Sequence, residues 1–237
     1  MPLILAFAPS FADSYTQSIS SLKPLLEYLP KHVQEELKEM NEMQILVYVM
    51  LKYFFAPFFL IIPLMVSNVI ASDSFAGEKE RKTIEALLAT PLSDSELFLG
   101  KILASFIPSM AVTLVSFLIY AVTANTISFN ILNGKLMIPT VTWILLIFGF
   151  SPTISIATIG LTVIVSAKVK GVREAQQVSA LLLIRILALV FGQAAGAIIL
   201  GPTITLMLIG IFILIDISTF KISVKIFRRE EILSKLS

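Results

Sequence analysis

Cysteine is absent from this 237-residue chain, histidine and tryptophan occur once each, and only 14% of the residues are charged. Without cysteine there is no disulfide, thiolate metal site or thiol nucleophile. A single imidazole excludes HExxH and every His/Cys metal cluster. His32, beside Lys31 and near Glu35 and Glu36, reads as a solvated surface residue. No GxSxG elbow is present. Nor is there a GxxxxGK[ST] phosphate loop: Gly100-Lys101 lacks the upstream glycine and is followed by Ile102. A formal net charge of +2 is too small to argue for nucleic acid. What fills the chain instead is apolar: 57% of it is hydrophobic and its mean hydropathy is +0.91. That balance belongs to an all-α, polytopic helical membrane protein.

Five stretches are each about long enough to cross a bilayer, at roughly 46–70, 102–125, 138–166, 177–198 and 202–220. They make residues 46–220 a transmembrane domain, preceded by an amphipathic segment at 1–45 and followed by a tail at 221–237. Within the first segment, residues 1–12 are apolar but cover only about half of a ~30 Å hydrocarbon core. They are expected to be the outer end, or remnant, of a span that begins earlier. Pro57 and Pro63 predict kinks in the span at 46–70, and Gly149 with Pro152 a bend in the one at 138–166. Trp143 is expected to anchor at a membrane interface.

Orientation follows from lysine and arginine. Segments 71–101, 167–176 and 221–237 hold four, three and five of them, against three, one and none in 1–45, 126–137 and 199–201. The positive-inside rule puts the first set, including the carboxyl end, in the cytoplasm. The amino end is then outside, unless a first span precedes it.

The largest charged island is Ser72–Lys101, with ten ionisable residues. The pattern predicts an amphipathic helix from about Phe75 to Ala89, with Glu78–Lys82 and Arg81–Glu85 spaced four apart to pair along its surface. Pro91 disfavours helix at Thr90 and ends it. Ser93 and Glu96 form a capping box that starts the next helix.

Inside the spans, Ser105, Ser109, Thr113, Ser116, Tyr120 and Thr123 fall on one helical face, and Ser151, Ser155, Thr158, Thr162 and Ser166 on another. Such stripes serve close helix packing or line a transport path. Gly192 and Gly196 make a GxxxG contact motif. Arg185 and Asp216 are the clearly intramembrane charges, placed almost symmetrically about the turn at Gly201-Pro202. They either pair across a helical hairpin or snorkel separately.

The run GEKERKTIEALLATPLSDSELFLGK at Gly77–Lys101 resembles the signature loop of ABC-2 type transporter permeases. The resemblance rests on Glu78, Glu80, Arg81, Thr83, Glu85, Leu87, Leu88, Thr90, Pro91, Leu92, Ser93, Glu96, Gly100 and Lys101. Lys82 stands where that family usually has glycine. Val172-Arg173-Glu174-Ala175-Gln176-Gln177 is similar to the family's second cytoplasmic loop. The resemblance implies a permease subunit of an ATP-driven exporter in the plasma membrane, with no catalytic residue, metal or cofactor of its own. ATP and magnesium would sit on a separate ABC ATPase, and permease subunits would pair as a homodimer or heterodimer. A cytoplasmic coupling helix would contact the ATPase through Glu78, Glu80, Arg81, Glu85, Thr90, Pro91, Ser93 and Glu96. The path candidates are then Ser105, Ser109, Thr113, Ser116, Ser155, Thr158 and Thr162. Substrates of two classes fit, amphipathic drugs or lipids and sodium or other cations. A non-transporting anchor or an inactive, truncated permease is the alternative.

Overall fold

In the computed structural model the described residues are 40–83, 91–131, 137–169, 171–181 and 201–226, plus isolated positions 35, 37, 38, 134, 184, 188 and 192. All regular structure among them is helical. Five helices organise it: α1 (Met43–Glu80), α2 (Asp94–Ile131), α3 (Val141–Ser166), α4 (Val172–Ser179) and α5 (Pro202–Ile226). Of these, α1, α2, α3 and α5 are long and apolar enough to cross a membrane. They fall on four of the five expected spans. The span expected at 177–198 lies mostly outside the described residues.

The first helix is longer than its apolar core requires. Its 38 residues reach about 57 Å at ~1.5 Å per residue, so one end stands clear of a ~30 Å hydrocarbon layer. Asn41 and Gln44 cap its start reciprocally, at 2.9 and 3.0 Å. Gln44 also donates to the Ile131 carbonyl at the end of α2 (2.8 Å), which sets α1 and α2 antiparallel. The middle of α1 is irregular where the prolines require it, with a π-helical turn at Met50–Phe54 and a 3-10 turn at Pro57–Leu60.

Other helices repair this irregularity. The Phe55 and Ala56 amides bond to Met50 and Tyr53, and Pro57 has no amide proton to offer. The Leu51 carbonyl accepts from the Tyr120 hydroxyl of α2 (2.6 Å), and the Lys52 carbonyl from Nε1 of Trp143 in α3 (3.1 Å). Trp143 is therefore not an interfacial anchor: it is fully buried, because its N–H meets a carbonyl inside the bundle. Its ring packs at 5.0–5.8 Å from those of Phe59, Phe117 and Tyr120.

The third helix is the centre of the bundle, packed between α1 and α5, while α2 lies against α1. Its own π-helical turn, Leu145–Phe150, falls where Gly149 and Pro152 disrupt regular pairing. Close approach of α5 needs Gly160. A β-carbon there would come within 2.9 Å of Thr219 Oγ1, and Ser223 Oγ donates to the Gly160 carbonyl at 3.1 Å. The outer faces of α2 and α5 carry Ile119, Val122, Met207 and Leu214, exposed apolar side chains suited to lipid.

Tyr120→Phe keeps the ring and removes the donor to the Leu51 carbonyl. It is expected to destabilise the protein by about 1–3 kcal/mol, seen as a lower apparent Tm of purified protein in detergent. An unchanged Tm would show that the break at Pro57 does not depend on this bond.

Candidate functional site

At the end of the bundle where α1 stops and α2 starts, the charges of the Ser72–Lys101 island gather into one polar cluster. Its inner member is Lys101, which is 6% exposed. Its ammonium pairs with the Glu78 carboxylate, donates to the Ser74 carbonyl at 2.7 Å and lies 5.1 Å from the centre of the Phe75 ring. A lysine held by a carboxylate, a carbonyl and an aromatic face is compensated for its burial.

Around this pair lie two further contacts. Arg81 donates to both Asp73 oxygens, at 2.9 and 3.4 Å, on the solvent side. The hydrogen bond that Arg81 donates to Asp73 raises the guanidinium above its ordinary pKa, and an arginine is charged in any case. Gly77 leaves room for this bridge: a β-carbon there would sit 2.7 Å from Asp73 Oδ1 and 2.9 Å from Arg81 Nη2. Glu80 reaches a different element. Its Oε2 accepts from the Val172 amide at 3.0 Å, the first amide of α4.

The expected helix over about 75–89 is interrupted here. Residues 75–80 finish α1, and Lys82 takes φ 57°. The Lys82 amide bonds to the Lys79 carbonyl (3.2 Å) and the Thr83 amide to the Glu78 carbonyl (3.0 Å), the two bonds of a Schellman stop. Glycine costs least at such a position, which gives a physical reason for its usual presence in the resembling loops. Because the helix stops, Glu78 and Lys82 do not pair along one surface, and Glu78 is bound to Lys101 instead; Arg81 is bound to Asp73, and its expected partner Glu85 lies outside the described residues. Glu85 and Thr90 lie outside the described residues. Pro91 is exposed before the start of α2. The capping box is formed, with the Ser93 amide to Glu96 Oε2 at 2.9 Å and the Glu96 amide to Ser93 Oγ at 3.3 Å.

Asn68 belongs to the same end of the bundle. It is 2% exposed. Its Nδ2 donates to the Gln176 carbonyl of α4 at 3.1 Å, and its Oδ1 accepts from Ser72 Oγ (3.3 Å) and Thr162 Oγ1 (3.4 Å). Sequence reasoning passed over it. The available signal was an amide inside the apolar run IIPLMVSNVIAS, costly unless bonded.

The hydroxyl stripes face the helix seams. Ser105, Ser109, Thr113, Ser155, Thr158 and Thr162 are fully buried, and Ser116 is partly exposed. Ser109 Oγ donates to the Pro63 carbonyl (2.9 Å) and lies 3.0 Å from Ser155 Oγ, so the two stripes meet at a proline of α1. Ser105, Thr113, Thr158 and Thr162 each bond to the carbonyl four residues back in their own helix. Asp216 is nearly buried on α5, and its Oδ1 has no hydrogen-bond partner among the described residues. Arg185 lies outside those residues, and so does the expected pair. Among the described residues no group of three or more His, Cys, Asp or Glu is placed to hold a metal ion.

A sequence model of the family described as "ABC-2 family transporter protein" matches residues 1–223 of this chain. Neither the curated proteins nor the solved structures include a match to it.

Two measurements probe the cluster. Glu78→Ala leaves a buried ammonium without its carboxylate and is expected to cost about 3–5 kcal/mol. Adding Lys101→Met is expected to recover a large part of that loss, so thermal unfolding of the two single variants and the double gives a coupling well above zero. Additive losses would mean that the pair does not bind as described. Lys82→Gly relieves the left-handed backbone and is expected to stabilise the protein by about 1 kcal/mol; a lower Tm would contradict the Schellman stop.

Proposed function

We propose that this chain, which belongs to the ABC-2 family of transporter proteins, is the membrane subunit of an ATP-driven exporter. It is a multi-pass membrane protein and a permease component of an ABC transporter, a class that works with an ABC ATPase subunit. The finer reading concerns how ATP hydrolysis on that partner reaches the spans, and which way substrate goes.

The observation that carries this reading is the meeting of two loops. Glu78, Glu80, Arg81 and Lys101, all from the family-like run, lie at one end of the bundle, and Glu80 holds the start of α4. This end is rich in lysine and arginine, which supports a cytoplasmic location. Arg173 and Glu174 of α4 are exposed there. A soluble ATPase docking on this end pushes on α1, α2 and α4 together. Ser93 starts α2 directly at the docking face, so its displacement passes along a continuous 38-residue helix.

Transport of amphipathic molecules fits the shortage of carboxylates in the spans better than a dedicated cation path. Asp216 is the acid to examine if the cargo proves to be a cation. The buried hydroxyls of α2 and α3 already have partners within the subunit, so a path along them requires that seam to open during the cycle. Two permease subunits are expected per complex.

Reversing Arg173→Glu together with Glu174→Arg changes the exposed face of α4 and no core contact. Co-purification of the ATPase subunit is expected to fall by at least about tenfold, with Tm of the permease within about a degree of the parent. Equal recovery of the ATPase would rule out docking on α4. ATP-dependent flux of a fluorescent amphipathic dye in inside-out vesicles tests the exporter itself; its absence, with sodium flux also absent, would favour a non-transporting anchor.

A further inference from the structure

The polar contacts of α4 go beyond what is needed to fold a surface loop. Its helix begins at Gly171, which has no side chain to cap it. Glu80, from the far end of α1, supplies that cap at 3.0 Å and places a negative charge at the positive end of the helix. One turn further along, the Gln176 carbonyl accepts from Asn68, again from α1, at 3.1 Å. Just before α4 begins, Lys79 Nζ donates to the Val169 carbonyl at 3.3 Å. The apolar floor beneath is made of small residues, with Ala76 and Ala175 both fully buried beside Val165, so the two backbones approach closely. Asn68 extends the tie further, through Thr162, into α3.

We propose that Glu80 and Asn68 are positioning residues that latch α4 to α1, so that the two loops act as one rigid docking body for the ATPase. Two latches a turn apart on a short helix restrain its rotation about either one, whereas a single contact would leave a pivot. A push on the exposed Arg173 and Glu174 then moves α1 and, through Asn68 and Thr162, α3. The latch rests on the reading that an ATPase docks at this end. It adds that α4 does not move relative to α1 during the ATP cycle.

The absence of native cysteine makes this testable by a covalent strap without background. Lys79→Cys and Val169→Cys, joined by a short bis-methanethiosulfonate spacer, tie the end of α1 to the segment that leads directly into α4 while leaving Glu80 and Asn68 in place. The readout is ATP hydrolysis by the purified complex in proteoliposomes, before and after reduction. In the latched chain the strap is expected to change the rate by less than about twofold, because it joins parts that already move together. Glu80→Ala, at the solvent edge, and Asn68→Leu are each expected to lower the rate about fivefold or more, and the strap to restore it. A cross-link can itself stabilise the fold, so Tm is measured for each variant with and without the strap; restored hydrolysis with Tm changed by no more than about a degree separates positioning from general stability. Inhibition of the latched chain by the strap overturns the proposal, and so does a failure to rescue Glu80→Ala. ATP hydrolysis that is the same with and without this chain sinks the docking reading, and the latch loses its role with it.

Discussion

A proline break in α1 is the constraint on which the bundle turns. In a hydrocarbon solvent every backbone carbonyl must find a donor within the protein. Pro57 withdraws one donor, and the π and 3-10 turns around it leave the Leu51 and Lys52 carbonyls to be met by α2 and α3 through Tyr120 and Trp143. Six residues on, the Pro63 carbonyl accepts from Ser109 of α2, whose hydroxyl in turn lies against Ser155 of α3. The same three helices are therefore pinned at two depths by the irregularity of one. Apolar packing alone is a weak guide to helix pairing in lipid, since lipid tails are as apolar as leucine. Directed bonds to a broken backbone provide what packing lacks, a specified neighbour at a specified height.

At the charged end the same economy operates with side chains. Buried Lys101 pairs with half-buried Glu78, Glu80 and Asn68 spend polar atoms on the loop helix α4, and Lys79 on the Val169 carbonyl just before it. Exposed charges remain around it, among them Asp73 with Arg81, Lys82, Glu96, Arg173 and Glu174. The charged island is thus divided. One part fastens α1, α2 and α4 to each other, and the other is available to a soluble partner. Its charges are a poor guide to partner contact until that division is known, because Glu78 and Arg81 look equivalent in sequence and do different work.

Local signals in the sequence were read well, and distant ones poorly. The capping box at Ser93 and Glu96 needs only a spacing of three and is present. The kinks at Pro57 and Pro63 and the disturbance near Gly149 and Pro152 were likewise visible. What repairs them was not, since Tyr120 and Trp143 lie 69 and 91 residues from the carbonyls they serve. The expected surface pair of Glu78 with Lys82 failed for a related reason. Spacing of four gives a few tenths of a kcal/mol in a helix, too little to hold Glu78 against a buried lysine. Trp143 was assigned to the interface from residue type; an indole N–H is also a rare strong donor inside an apolar bundle, and that use prevailed. Asn68 could have been found by the argument that singled out Asp216, had an amide been weighed like a carboxylate.

Lys82 links the fold to the mechanism. Where the resembling loops usually carry glycine this chain has lysine, at φ 57°. The side chain tolerates that conformation at a cost of about 1–2 kcal/mol, and the Schellman bonds from Lys82 and Thr83 hold it there. The stop has to fall here because of what lies on either side. One turn earlier, Glu78 and Glu80 are aimed at Lys101 and Val172, two contacts that require the end of α1 to be in register with α2 and α4. If the helix ran on, it would carry the charged residues after Lys82 away from the bundle on the axis of α1. Ending α1 at Glu80 instead confines the first span, the start of the second and the loop helix to one compact face. On the docking proposed above, that face is what a soluble partner meets, and the bonds that hold it together are made inside the membrane subunit.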